Sequence, residues 1–235
     1  MGRSSKPAPA SASGSPTLLQ DVICDLTSDR ALFAANRPCP TLYEPGAPRL
    51  AVVSGENAGG KSLFARAVAA LLRKQTAPKI KVMLISMNLR VEPGMHRAFI
   101  FNEEPSSSTG NVSVHTALAG LRNSRACENP HILMLDEPDI GLGEGYQAPL
   151  GEELADYARN LPSSAVGFLL ISHSRALIAP FLPLTPTFVR VGSDLRPTAQ
   201  WIAEGDIVRT RADLVALSDK ARQRYLGVHK LISQK

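Results

Sequence analysis

Residues 50–62 read LAVVS followed by GENAGGKS, a short apolar run and then a loop in which three glycines precede a lysine and a serine. The stretch after it, residues 61–74, places Leu63, Phe64, Ala67, Leu71 and Leu72 at helical spacing and ends on basic residues, as an amphipathic helix does. No other part of the chain constrains the fold as tightly. A buried strand that turns through glycines into a helix exposes successive backbone N–H groups at a helix N-terminus, where anions are favoured. The loop from Gly55 through Glu56, Asn57, Ala58, Gly59 and Gly60 to Lys61 and Ser62 fits G-x-x-x-x-G-K-[ST]. Lys61 is therefore expected to bridge the β- and γ-phosphates of ATP, and the Ser62 hydroxyl to ligate Mg²⁺.

The remaining pattern alternates strands and helices. Apolar runs at 80–86, 98–101, 132–135 and 166–171 predict buried strands. Helices are expected at about 112–126, at 152–160 and at about 175–178. Residues 18–48, with prolines at 38, 40, 45 and 48, are read as short strands or turns rather than a long helix. Residues 187–191 and 198–203 are read as a hairpin around Gly192-Ser193-Asp194. The chain should end in one long amphipathic helix with Leu214, Leu217, Ala221, Tyr225, Val228 and Ile232 on its apolar face. That face should pack on the domain or on a partner. This order of elements predicts an α/β fold with a mainly parallel central sheet flanked by helices, and ligands at the carboxyl ends of its strands.

Composition sets the outer bounds. The chain has 235 residues, 44% of them apolar and 20% charged, which suits one folded α/β unit over 17–235. Residues 1–16, rich in Ser, Ala and Pro, are expected to be a disordered tail rather than a secretory signal. No apolar stretch reaches the ~18 residues of a membrane-spanning helix. Three scattered cysteines without metal spacing fit reduced thiols in a cytoplasmic protein. The formal charge of +5 is compatible with nucleic acid without requiring it.

Two further strings place chemistry at strand ends. His131-Ile132-Leu133-Met134-Leu135-Asp136-Glu137-Pro138 closes an apolar strand on paired carboxylates. Asp136 is expected on the metal side and Glu137 as the general base for an attacking water, a role worth ~10²–10⁴ in rate. An Asp-Glu pair can also simply cap a strand. His173, in Leu170-Ile171-Ser172-His173-Ser174, is either a satisfied loop histidine or a γ-phosphate contact that helps position Glu137 and water. Phe33 and Tyr43, upstream of the loop, are candidates for stacking on adenine, with core packing as the alternative.

GENAGGKS, LDEPDIGLG and LLISHS, in that order, resemble the ATP-binding-cassette ATPases, including their RecF-type and chromosome-maintenance branches. The resemblance covers roughly residues 50–204. It implies a P-loop NTPase fold and a signature loop ahead of the Asp-Glu strand. The matching stretch here is Ser107-Ser108-Thr109-Gly110-Asn111, which lacks the usual leading Leu and final Gln. In that family the signature loop meets the γ-phosphate of the opposite subunit, so Ser108 and Gly110 are implied to bind ATP across a head-to-tail homodimer. A plain serine-rich linker is the alternative.

The chain also departs from the family. Ile140-Gly141-Leu142-Gly143 stands where a loop ending in Asp is usual, and no clear glutamine loop is present, although Asn88 or Asn102 could substitute. Lys61 and Ser108 lie fewer than fifty residues apart. That leaves room for neither the helical subdomain that grips a membrane partner nor a coiled-coil insertion. The expected function is therefore a soluble ATPase that switches an effector protein or nucleic-acid complex, as in DNA repair or mobile-element defence. The alternative is the ATPase subunit of a membrane transporter. No N-K-x-D element argues for a GTPase and no arginine-bearing lid for a kinase. Lys220, Arg222, Arg224 and Lys230 give the last helix a basic side, either solvated or able to track a nucleic-acid backbone.

Overall fold

A computed structural model describes residues 17–28, 32–35, 37–74, 79–86 and 108–233, the last seven of these by backbone alone. The expected tail at 1–16, the strand at 98–101, and Asn88 and Asn102 lie outside the described residues. So does most of the connection between Lys61 and Ser108 in which a helical subdomain was expected to be reduced or absent.

The elements follow in the order α1 (Leu18–Ser28), β1 (Thr41–Glu44), β2 (Ala47–Ser54), α2 (Lys61–Lys74) and β3 (Lys81–Ser86). After residues 87–107 come α3 (Thr109–Ala126), β4 (His131–Asp136), α4 (Glu144–Arg159), β5 (Ala165–Ile171) and α5 (Arg175–Ile178). A 3₁₀ turn (Ala179–Leu184), β6 (Pro186–Val191), α6 (Thr198–Glu204), α7 (Arg211–Val215) and α8 (Leu217–Ser233) complete the chain.

Six strands form one sheet in the order β1-β6-β2-β5-β4-β3. All neighbours are parallel except β1, which runs antiparallel to β6 at one edge. The strands read as unbroken apolar runs because both faces of the sheet are covered. The two-residue side-chain period sorts them. Ala51, Val53, Ile132, Met134, Leu169 and Ile171 join a core with α1 and α2 on one face. Leu50, Val52, Leu133, Leu135, Phe168 and Leu170 join a second core with α3, α4 and Trp201 on the other. The mixed α/β fold with a mainly parallel sheet is as expected.

Three local expectations are corrected. Residues 18–28 are an α-helix, not irregular chain, because Leu19, Val22, Ile23 and Leu26 fall on one face and are buried against the sheet. The prolines of that region all follow it. The second arm of the supposed hairpin is α6, whose first turn is anchored by Glu44: its carboxylate accepts both the backbone N–H (2.9 Å) and the hydroxyl (2.8 Å) of Thr198. Trp201 then seals that helix against the second core. The C-terminal helix is two helices, the first opened by a capping box between Thr210 and Asp213. On the expected apolar face, Leu214 is 70% and Tyr225 69% exposed, whereas Leu217 is half-buried; the side chains of Val228 and Ile232 lie outside the described residues. Among the described residues no helix is long and apolar enough to cross a membrane.

Candidate functional site

Parallel pairing brings three strand ends to one level. Val53 of β2 pairs with Ile171 of β5, and Ile171 pairs with Asp136 of β4. The backbone continues this alignment past the strands, with Ser172 N–H donating to Val53 (3.1 Å) and Glu137 N–H donating to Ile171 (2.8 Å). The loop after β2, the carboxylates closing β4 and the histidine after β5 therefore share one end of the sheet. β5 separates the lysine-bearing element from the glutamate-bearing one in the sheet.

The phosphate loop has the backbone that its sequence requires. Gly55 has φ of 149°, and a Cβ there would lie 1.9 Å from the Val191 carbonyl oxygen. No side chain fits that position. Gly60, at φ 108°, is likewise in a conformation that glycine alone adopts readily. Ala58 holds φ of 57° without being glycine. The Gly59 N–H donates to Glu56 O (3.0 Å), closing the loop on itself. Lys61, 5% exposed, donates from Nζ to the carbonyls of Gly55 and Glu56, both at 3.2 Å, and lies 3.5 Å from Glu137 Oε1. Ser62 follows, half-buried in the first turn of α2.

Glu137 sits at φ 53°, a left-handed backbone at the tip of β4. Strain of that kind persists only where surrounding structure dictates it, and it gathers at functional sites. The carboxylate lies 3.5 Å from Lys61 Nζ and 3.6 Å from His173 Nδ1. The second distance is that of an ion pair rather than a hydrogen bond. His173 holds the Glu137 carboxyl below its usual range and Lys61 adds to this, while burial opposes. Glu137 in turn raises the imidazole above its usual value, against burial.

Asp136 is buried, and its two oxygens differ. Oδ2 accepts the Ser86 hydroxyl at 3.0 Å, whereas Oδ1 is buried without a hydrogen-bond partner. Burial pushes this carboxyl up. An orphaned, inward carboxylate oxygen is costly unless something positive meets it, and it suits a divalent cation. Among the described residues no group of three or more His, Cys, Asp and Glu forms a metal cage. Asp136 and Ser62 are the side chains that could offer oxygens to a hard cation such as Mg²⁺ here.

Ser108 and Gly110 do not join this cluster within the chain. Ser108 caps α3 by accepting the Asn111 N–H (3.4 Å), and Gly110 lies so close to the loop after β4 that a Cβ would meet Gly141 O at 2.5 Å. Ser113, one turn on, donates to Ile140 O at 2.6 Å. Phe33 is fully buried, edge-on to Phe64 at 5.0 Å, and so belongs to the core rather than to an adenine site. Tyr43 is half-buried against the same core.

Sequence reasoning missed several participants. Asp139, 3% exposed, accepts the Ser172 hydroxyl on both oxygens at 3.1 and 3.0 Å, tying the turn after Glu137 to the turn that carries His173. The third acidic residue of LDEPD was its only signal. Ser86 gave none.

The side chain of Glu56 was also unforeseen. It accepts from the backbone N–H (3.0 Å) and hydroxyl (2.9 Å) of Ser193 and pairs with Arg209 (2.6 Å), Lys220 (2.8 Å) and Arg224 (3.3 Å). Burial works against ionisation there, but Lys220 and Ser193 outweigh it and bring the carboxyl down to about 2. Two of the residues expected on the solvated basic side of the last helix, Lys220 and Arg224, are thus turned onto the phosphate loop, while Arg222 is exposed. A cavity of about 700 Å³ opens between that loop, His173 and the C-terminal helices, lined by Asn57, Leu214 and Lys220 among others.

No protein-family model matches the chain, and no curated protein does. Among solved structures, the crystal structure of Cdc6p from Pyrobaculum aerophilum is similar at 13% identity with a TM-score of 0.32. The match covers 88% of this chain and 48% of that one, so the chain spans about half its length.

Proposed function

We propose that the chain is an ATP hydrolase of the ATP-binding-cassette type, working as a switch in a head-to-tail homodimer. The observation that carries this reading is the placement of Glu137, held at a strained φ between Lys61 and His173 at the meeting of three parallel strand ends. In this reading, backbone N–H groups of the phosphate loop, apart from that of Gly59, which Glu56 O holds, receive the phosphates and Lys61 neutralises charge on the β- and γ-phosphates. Mg²⁺, bound through Ser62 and Asp136, would neutralise phosphate charge. Glu137 takes a proton from a water whose oxygen attacks the γ-phosphorus, and the bond to the β,γ-bridging oxygen breaks to release ADP.

The electrostatics give this step a sequence. While Lys61 leans on Glu137, the carboxylate is a poor base. A polyphosphate drawing Lys61 away removes one of the charges that depress it, so basicity rises when substrate is in place. His173 keeps the carboxylate oriented. Ser108, at the N-terminus of α3, and Gly110 act in the opposite subunit. ATP binding then joins two copies, hydrolysis parts them, and an effector protein or nucleic-acid complex reads the difference.

Glu137→Gln tests the assignment. The variant should bind ATP, accumulate as a dimer by light scattering, and lose ~10²–10⁴ in turnover. Hydrolysis at the wild-type rate would remove Glu137 from its role.

A further inference from the structure

A loop that turns its N–H groups inward to a phosphate must turn carbonyls outward, and each of those needs a partner of its own. Here the outward groups are satisfied from two directions. Lys61 takes the carbonyls of Gly55 and Glu56 from within the loop. The carbonyl of Ala58, the one non-glycine of the loop at positive φ, accepts from Nη1 of Arg224, a residue of α8. The other terminal nitrogen of the same guanidinium reaches Glu56 Oε1 at 3.3 Å. One planar group, with its side chain 12% exposed, therefore spans two residues of the phosphate loop from the far end of the chain. A guanidinium can do this because its donors diverge in a fixed fork, which an ammonium lacks. Lys220, one helical turn earlier, and Arg209, ahead of α7, fasten the same Glu56 carboxylate.

We propose that Arg224 is a positioning residue for nucleotide binding. It holds residues 56–60 in their phosphate-receiving conformation through the Ala58 carbonyl and the Glu56 carboxylate, so that α8 is a working part of the loop. The proposal rests on reading that loop as an ATP site. It differs from a simple fastening of α8 to the domain, since a fastening would leave loop and affinity untouched once released. With Arg224 gone, the Ala58 carbonyl loses its side-chain donor, which frees Ala58 to relax out of its left-handed conformation and lets the inward N–H groups lose their alignment.

The test compares Arg224→Ala and Arg224→Lys with Arg222→Ala, an exposed neighbour on the same helix. Amide exchange of residues 56–60 is followed without nucleotide, the Kd for ATP by calorimetry, and KM and kcat separately. Arg224→Ala should exchange faster across 56–60, bind ATP about tenfold more weakly, and show the loss in KM rather than kcat. Arg224→Lys should recover part of this and Arg222→Ala should match wild type. Wild-type exchange and wild-type Kd in Arg224→Ala overturn the proposal. So does a fall in Tm with unchanged exchange at 56–60, which assigns Arg224 to fastening alone. If the wild-type protein binds no ATP, the ATPase reading fails, while the exchange comparison still decides what Arg224 does to the loop.

Discussion

Burial disfavours the charged form of Asp139. Its carboxyl is pushed up by burial, with Ser172 and the charge of His173 only partly compensating. A carboxyl whose folded pKa is raised contributes stability that is fully present below its unfolded value, 3.8 here, and lost as pH rises through the folded value. At neutral pH the native state therefore carries a cost. Asp139→Asn keeps an acceptor for the Ser172 hydroxyl and removes the charge, so it should stabilise the fold by about 1 kcal/mol, or about 2–4 °C in Tm. The gap to wild type should close as pH falls toward 3.8. Asp139→Ala, which abandons Ser172 as well, should destabilise instead. Thermal melts of the three proteins between pH 4 and 8 check the sign, and an Asn variant no more stable than wild type at neutral pH would refute it. Hydrolysis should fall in both variants because His173 loses a charge that holds it, a trade of activity for stability that active sites commonly show.

Elements meet the site through close backbone approach. The first turn of α3 lies directly on the loop after β4, with no room at Gly110 for even a Cβ against Gly141 O. Gly110→Ala must push helix and loop apart, at a cost of about 1–3 kcal/mol, and should disturb Glu137, at the start of that loop. Gly145, in the first turn of α4, has nothing within 4 Å of an added Cβ. There Ala should stabilise by about 0.5–1 kcal/mol through helix propensity alone. Denaturant midpoints of the two variants should move in opposite directions, and similar shifts would discount the packing argument. This contrast also marks what sequence can convey. The strands were legible because burial on both faces leaves unbroken apolar runs, and the GENAGGKS and LDEP strings were legible because glycines and carboxylates at strand ends serve few other purposes. α6 was not, since a seven-residue helix spans only two turns and Trp201 and Ile202 side by side read equally well as a strand. Nor was the role of Glu56, whose partners Arg209, Lys220 and Arg224 are more than 150 residues away along the chain. Such pairings are made by the fold, and no local pattern announces them.

At the scale of the whole molecule, the sheet decides which residues can share one ATP. Placing β5 between β2 and β4 gathers Lys61, His173 and Glu137, while Gly110 lies against the loop at 140–142 and Ser108 caps α3. If those two residues serve ATP, they serve it in a second copy, and a two-fold arrangement makes two equivalent composite sites at once. That geometry predicts complementation between two inactive chains. Lys61→Ala removes the phosphate-loop half of a site. Ser108→Asp keeps the cap on α3, since Asp caps helices as well as Ser, but sets a negative charge against the partner's γ-phosphate. Each variant alone should be nearly inactive. In a hybrid dimer, both defects fall in one site and the other site is intact. An equimolar mixture should therefore regain about a quarter of wild-type hydrolysis when the subunits pair at random. A mixture as inactive as its parents, with hybrid dimers demonstrated by differently tagged chains, would mean that Ser108 acts within its own subunit or not on ATP at all.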